Sequence, residues 1–325
     1  MKALPLRDIG LPVSRVVLGC MSMGGGWNAH PVSAEDVTTA ERAIEAALEV
    51  GITMFDHADI YTLGKAEETF GRVLKSRREL RDRIVLQSKC GIRLSSGERP
   101  GRFDFSREHI LAAVEGSLKR LGTEYLDILL LHRPDPLVEP DEVAEAFAQL
   151  KTAGKVRHFG VSNMDVGQMR FLQRALPDRL VANQLEMSLA RLDWLDQGVH
   201  VNQKAGTRVH FGEGLLEDCQ MEGVQIQAWG PLAKGVFSGA SLDNASAPIR
   251  AAAELVAQMA ARQNTTREAI VLGWLMRHPA MIQPVIGTIN PDRIRACADA
   301  ERQAAAMSRE EWYSLYITAR GERLP

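Results

Sequence analysis

The chain has 325 residues, of which 45% are apolar and 25% charged, and its net charge is −2. That balance is ordinary for a soluble globular protein with a large core, and it offers no basic surface to nucleic acid or an anionic membrane. No apolar run is long enough for a membrane span, and the opening MKALPLRDIGLPVSR has neither the apolar core nor the cleavage pattern of a signal peptide.

In chain order, Leu4-Pro5-Leu6 and Leu11-Pro12-Val13 flank the turn signal Asp8-Ile9-Gly10, which predicts a small N-terminal β-hairpin. A buried strand is expected from Arg15 to Met21, then a loop through Gly24-Gly25-Gly26-Trp27. Ser33 can cap a helix that Asp36 favours through the dipole and Gly51 stops after Val50. Ile52 to Phe55 predicts the second strand, closed by Asp56, His57, Asp59 and Tyr61, with a helix from about Ala66 to Lys75.

The same strand-then-helix unit recurs. Strands are expected over 83–89, 126–132, 156–162, 180–187, 224–229 and 281–286. Helices are expected over 106–121, 139–153, 166–176, 249–263, 267–278 and 292–305. Eight such units predict a (β/α)8 TIM barrel in one domain spanning residues 1–325. A doubly wound sheet is disfavoured because no GxGxxG follows the first strand. Leu189 to Glu217 is polar and weakly periodic, and a loop of that length is expected to act as a flap over the site. Cys20, Cys90, Cys219 and Cys297 form no CxxC or metal spacing, so reduced thiols, a cytoplasmic setting and no metal site are expected.

Four polar side chains fall at or just beyond the C-terminal ends of successive strands: Asp56 and Tyr61, then Lys89 in IVLQSKCG, then His132 in LDILLLHRPD. In a parallel barrel that end carries the chemistry. Phe55-Asp56-His57-Ala58-Asp59-Ile60-Tyr61-Thr62-Leu63-Gly64-Lys65-Ala66-Glu67 resembles the signature of the aldo-keto reductases, and the resemblance runs from the N-terminal segment to the last strand and its helix. The opening GLPVSRVVLGCMSMGGGW places it near the short-loop, YdhF-like bacterial branch. The resemblance implies a catalytic tetrad of Tyr61 as general acid, Lys89 and Asp56 supporting it, and His132 guiding the substrate.

The residues suit that chemistry. A carbonyl receiving hydride needs a proton on its oxygen; a phenol is a weak acid at neutral pH, and an ammonium such as Lys89 favours its phenolate. Asp56 would hold Lys89, and His132 would hydrogen-bond the carbonyl oxygen.

Further matches imply a nicotinamide cofactor. Phe159-Gly160-Val161-Ser162-Asn163 and Asn183-Gln184 resemble the segments whose Ser, Asn and Gln hold the carboxamide. Gln227-Ala228-Trp229-Gly230-Pro231-Leu232 resembles the seventh-strand motif whose aromatic, here Trp229, stacks on the nicotinamide. Gly230, Leu232, Lys234 and Gly235 would cross the pyrophosphate. In Val285-Ile286-Gly287-Thr288-Ile289-Asn290-Pro291-Asp292-Arg293, Thr288 and Arg293 would hold a 2′-phosphate, making the cofactor NADPH/NADP+. Gly287 and Ala296-Cys297 depart from the lysine and the Glu-Asn pair of many relatives.

The expected activity is NADPH-dependent reduction of aldehydes or ketones, with Trp27, His57 and the 189–217 segment as pocket walls. The alternative is a cofactor-sensing binding module with little turnover, as in the potassium-channel β subunits that the family resembles. A metal-dependent hydrolase is disfavoured because HxH and HExxH are missing. The physiological substrate and the oligomeric state are not specified by any motif.

Overall fold

A computed structural model describes residues 3–325. Eight parallel strands close into a barrel: β1 (Val17–Gly19), β2 (Met54–Asp56), β3 (Val85–Cys90), β4 (Leu126–Leu131), β5 (Val156–Ser162), β6 (Ala182–Glu186), β7 (Gln225–Trp229) and β8 (Gln283–Ile286). β1 closes the ring by pairing with both β2 and β8, Val17 lying opposite Met54 and Val285. The expected (β/α)8 barrel is therefore present, with strand positions as the apolar runs indicated.

Two interleaved sets of side chains fill it, because successive strand residues point to opposite faces. On β3, Leu86 and Cys90 join the apolar shell between strands and helices, while Val85 belongs to the core at the barrel's base. Gln87 and Lys89 share the inward face with Val85 and turn polar toward the mouth. Helix positions follow the expected capping. Ser33 accepts from the Asp36 amide in a full capping box at the head of Ala34–Glu49, and Gly122, in a left-handed conformation, ends Arg107–Leu121.

The N-terminal hairpin is a correction. Pro5–Asp8 forms a single helical turn, with Pro5 at its first position, where the missing N–H costs nothing. Leu4, Leu6, Leu11 and Val13 then pack under the barrel against Val17, Met54, Val85 and Ile128, so the segment is a plug rather than a strand pair. Burying apolar side chains at the open base outweighs the turn signal that suggested a hairpin.

Three helices were not expected: Asp193–Val199, Leu215–Glu222 and the C-terminal Arg309–Arg320. The predicted helix over 292–305 is instead two short pieces, Pro291–Arg295 and Ala300–Ala306. Among the described residues no helix is long and apolar enough to cross a membrane. All four cysteines are free and buried.

Candidate active site

β2 delivers Asp56 at its last residue, and the chain then turns through a tight loop that brings Tyr61 back over the mouth. The turn Tyr61–Gly64 holds Thr62 and Leu63 at positive φ (47° and 62°), a costly conformation for residues with side chains. The Thr62 hydroxyl holds it by donating to the Met23 carbonyl at 2.9 Å. Lys65 adds a second tie, donating to Asn28 at 3.0 Å and fastening the loop after β1 to the one after β2.

The four expected catalytic side chains meet. Lys89 Nζ donates to Asp56 Oδ1 and Oδ2 at 2.8 and 2.7 Å, to the His57 carbonyl at 2.9 Å and to the Tyr61 hydroxyl at 3.1 Å. An ammonium with every donor engaged is held in one position. The His132 ring stands edge-on to Tyr61, centroids 5.8 Å apart.

The electrostatics refine one expectation. Burial pushes the Tyr61 phenol above its ordinary value; Lys89 pulls it back, but not far enough, and the Asp56 charge adds to the rise. Tyr61 therefore stays protonated at neutral pH, and its phenol is not lowered as an ammonium neighbour alone would lower it. For Lys89 burial acts downward, and the charges of Asp56 and Tyr61 outweigh it, so the net shift is up. Burial first, then Lys89 and Arg133, hold His132 well below the usual histidine range, so its ring is neutral.

Behind this group lies a brace that the sequence did not announce. Ser88, on the outward face of β3, donates to Glu67 at 2.6 Å, and Arg120 grips the other Glu67 oxygen at 2.8 Å. His57 is a correction: it is fully buried, edge-on to Phe70 at 4.7 Å, and lines no pocket. Asp59 sits near Glu67, and burial, then that neighbouring charge, raises its carboxyl to about 7.

The expected cofactor residues gather on the other side of the mouth. The Ser162 hydroxyl donates to the Gln184 carbonyl at 2.9 Å and accepts from Asn163 Nδ2 at 2.8 Å. Asn163 Oδ1 accepts from the Trp229 indole at 3.0 Å, which fixes the ring at the end of β7. A Cβ at Gly160 would meet the Ala182 carbonyl at 2.6 Å, so only glycine lets β5 approach β6 here. Gly230 opens a loop in which Ala233 and Lys234 also take positive φ, 46° and 56°, continuing through Leu232 to Gly235. Thr288 accepts from the Asn290 amide at 3.1 Å, and Asn290 caps Pro291–Arg295. Arg293 is exposed and takes no side-chain partner among the described residues, whereas Arg295 is tied to Glu49 at 2.9 Å. Cys297 is buried, and its thiol donates to the Arg293 carbonyl at 3.2 Å.

Residues 15–315 match the model of the family described as Aldo/keto reductase. The chain belongs to the aldo/keto reductase family. It is 37% identical over 329 residues to 6-dehydroglucose reductase of Agrobacterium fabrum, covering 100% of both chains. It is 36% identical over 318 residues to the oxidoreductase YdhF of Escherichia coli, covering 97% of each. The structure of an aldo-keto reductase from Klebsiella pneumoniae in complex with NADPH is similar at a TM-score of 0.69 and 29% identity, over 93% of this chain and 90% of that one.

In this aldo/keto reductase the 189–217 segment is not a free flap. Its helix Asp193–Val199 buries Trp194 against Trp274, with ring centroids 5.5 Å apart. Asp196 accepts from the Tyr316 hydroxyl and pairs with Arg320 at 3.3 Å. Half the segment is thus anchored to the C-terminal helix, and only residues beyond about 200 are mostly exposed. The expected pocket wall Trp27 is 53% exposed on the loop after β1, alongside the exposed Met21; Leu63 is exposed on the loop after β2.

Proposed function

We propose that the protein uses NADPH to reduce the carbonyl group of an aldehyde or ketone to an alcohol, with Tyr61 as the proton donor. The observation that carries this reading is the relay Asp56–Lys89–Tyr61 beside a neutral His132, with steps of 2.7 and 3.1 Å at the end of the barrel where chemistry is done.

Three features fit the cofactor: the unpaired guanidinium of Arg293, the indole of Trp229 held by Asn163, and the positive-φ stretch that exposes backbone between Gly230 and Gly235. Ser162, Asn163 and Gln184 would hold the carboxamide, Trp229 the nicotinamide ring, and Gly230, Leu232, Lys234 and Gly235 the pyrophosphate. Thr288 and Arg293 would hold the 2′-phosphate. Bound there, NADPH supplies the hydride. As negative charge grows on the carbonyl oxygen, the Tyr61 hydroxyl gives up its proton, and Lys89 stabilises the phenolate left behind. Asp56 keeps Lys89 in place. Neutral His132 donates a hydrogen bond to the same oxygen and orients the substrate. The name of the Agrobacterium relative makes a sugar-derived aldehyde the first carbonyl to test.

Titration with NADPH and NADH, followed by quenching of tryptophan fluorescence, tests the cofactor. NADPH is expected to bind at least about tenfold more tightly, the worth of one charge-assisted contact to the phosphate, and Arg293→Ala to abolish the difference. Equal binding of the two by the unaltered protein would remove the 2′-phosphate assignment. Tyr61→Phe should keep NADPH affinity and lose about 10²–10⁴-fold in reduction rate. A Tyr61→Phe rate near that of the unaltered protein would overturn the proton-donor role. Tight NADPH binding with no turnover across a carbonyl panel would favour a cofactor-sensing module instead.

A further inference from the structure

Between the apolar base of the barrel and the ion pair at its mouth lies a layer of side-chain amides. Gln87, Gln227 and Gln283 are fully buried, and Gln184 is 3% exposed. They come from four different strands and bond to one another. Gln87 Nε2 donates to Gln227 Oε1 at 2.9 Å, and Gln227 Nε2 returns a bond to Gln87 Oε1 at 3.2 Å. Gln227 Nε2 also donates to Gln283 Oε1 at 3.2 Å, and Gln227 Oε1 accepts from Gln184 Nε2 at 3.0 Å.

An amide has a donor end and an acceptor end, so such a network can run in either direction unless something fixes it. Here both outer ends meet groups that only accept. Gln87 Nε2 donates to the Asp56 carboxylate at 2.6 Å, and Gln283 Nε2 donates to the Ser14 carbonyl at 2.7 Å. Those anchors leave both Gln87 and Gln283 with an oxygen toward Gln227, and Gln87 Nε2 spends its second hydrogen on Gln227 Oε1. Gln227 answers both oxygens with its nitrogen, so its own oxygen accepts from Gln87 and from Gln184. Gln184 then has to spend its nitrogen inward. Its Oε1 has no hydrogen-bond partner among the described residues and is not sealed in, so it faces the mouth as an acceptor.

We propose that Gln87, Gln227 and Gln283 are positioning residues that fix the amide orientation of Gln184, so that the site presents an acceptor to the NH2 of the nicotinamide carboxamide. The catalytic carboxylate Asp56 therefore has two tasks: it holds Lys89, and it sets the polarity of the cofactor site across the barrel. A flipped Gln184 would turn NH2 toward NH2 and leave both without an acceptor, a loss that buried amides pay in full. The inference rests on the assignment of Gln184 to the carboxamide, and its test separates the two.

The probe is NADP+ against its 3-acetylpyridine analogue, in which a methyl replaces the carboxamide NH2, each measured as a calorimetric Kd with no turnover. The unaltered protein should favour NADP+ by about tenfold, the worth of one good hydrogen bond. Gln227→Met leaves Gln184 free to turn, so its amide can offer either end, and the preference should fall below about twofold while both ligands still bind. The double variant Gln87→Met with Gln283→Met keeps Gln227 but removes both of its anchors. It should behave the same way, and it stands in if Gln227→Met does not fold. Gln227→Glu, whose carboxyl still accepts from Gln184, should restore the preference. Because the readout is a ratio between two ligands, a general loosening of the barrel does not move it. A tenfold preference that survives in Gln227→Met or in the double variant, but is lost in Gln184→Met, overturns the positioning role alone. A preference that survives in Gln184→Met, or is missing from the unaltered protein, overturns the carboxamide assignment and the positioning role together.

Discussion

The two faces of the barrel strands are equally dry and are held by different forces. On β3 all six residues from Val85 to Cys90 are buried. The outward side chains Leu86 and Cys90 meet helices in a continuous apolar shell. The inward side chains Gln87 and Lys89 meet only polar partners, and each is fully satisfied. A shift of one residue in register would exchange the two sets. Apolar packing therefore secures the barrel from outside, and a hydrogen-bonded interior places the reacting groups. Lys89→Met breaks the inner set at its centre. We expect a fall in reduction rate of about a thousandfold or more, as for loss of a proton-transfer partner. Stability should drop by about 3–5 kcal/mol, because the Asp56 carboxylate stays buried without its cation. Single-turnover NADPH oxidation and denaturant unfolding measure the two. Retention of a tenth of the rate would show that Tyr61 does not depend on Lys89.

Leu131→Ala probes the other face. Leu131 is fully buried in the shell one residue before His132. The cavity should cost about 2–5 kcal/mol, comparable to the loss for Lys89→Met, while kcat per folded molecule stays within about twofold. If kcat fell in step with stability, the two faces would not be separable and the comparison would fail.

This division also explains what could be read in advance. The outward face is mostly apolar, with Ser88 and Asp127 as polar exceptions, so the strands and most helices were legible. That Asp56, Tyr61, Lys89 and His132 meet was legible because they sit at strand ends or in the loop just beyond, where the apolar run visibly stops. The amide layer was not. Gln87 in IVLQSK, Gln227 in QIQAW and Gln283 in MIQPVI give no local sign of one another, and their partners within the layer are 43 to 140 positions away. The only local signal is a glutamine inside a strand, where little else is polar. The N-terminal turn chemistry predicted a hairpin because nothing local reveals the open base that Leu4 and Leu6 fill. The helix Leu215–Glu222 was hidden by brevity and by glycines at both ends, Gly214 and Gly223, which read as loop.

The pH response sharpens the contrast next. His132 is held neutral and Tyr61 and Lys89 are both raised, so none of the three changes charge between about pH 6 and 8. The reduction rate should be flat across that window and decline only in alkali, as stopped-flow profiles would reveal; an acid limb near pH 6.5 would contradict a neutral His132. Stability should respond where activity does not. Burial lowers His57 to about 3 and His278 to about 4, and lowers His132 too. The unfolded chain binds these protons first, so stability is complete above the ordinary histidine value and is lost as pH falls below it. From pH 6.5 toward 4.5 each such histidine should cost up to about 1.4 kcal/mol per pH unit, less whatever compensation the carboxylates give.

One of those compensating carboxylates can be isolated. Asp59 is raised from the ordinary 3.8 to about 7 by burial and by Glu67, with Arg120 and Lys89 acting against the rise. A carboxyl raised in the folded state binds its proton there first, so folding is favoured as pH falls from about 7 toward 4 and penalised above. Asp59→Asn supplies a neutral side chain of the same shape at every pH. It should therefore raise the melting temperature at pH 8 by several degrees, toward an upper limit of about 4 kcal/mol set by the rise from 3.8 to about 7, and by less than half as much at pH 5. Asp59 stands outside the relay, one layer behind Lys89, where Glu67 is already paired with Ser88 and Arg120. Its replacement should leave the alkaline decline of activity unmoved. A shift of that decline would mean that the brace behind β3 and the relay in front of it titrate as one unit, and the boundary between the two faces of the barrel would then lie one layer further out.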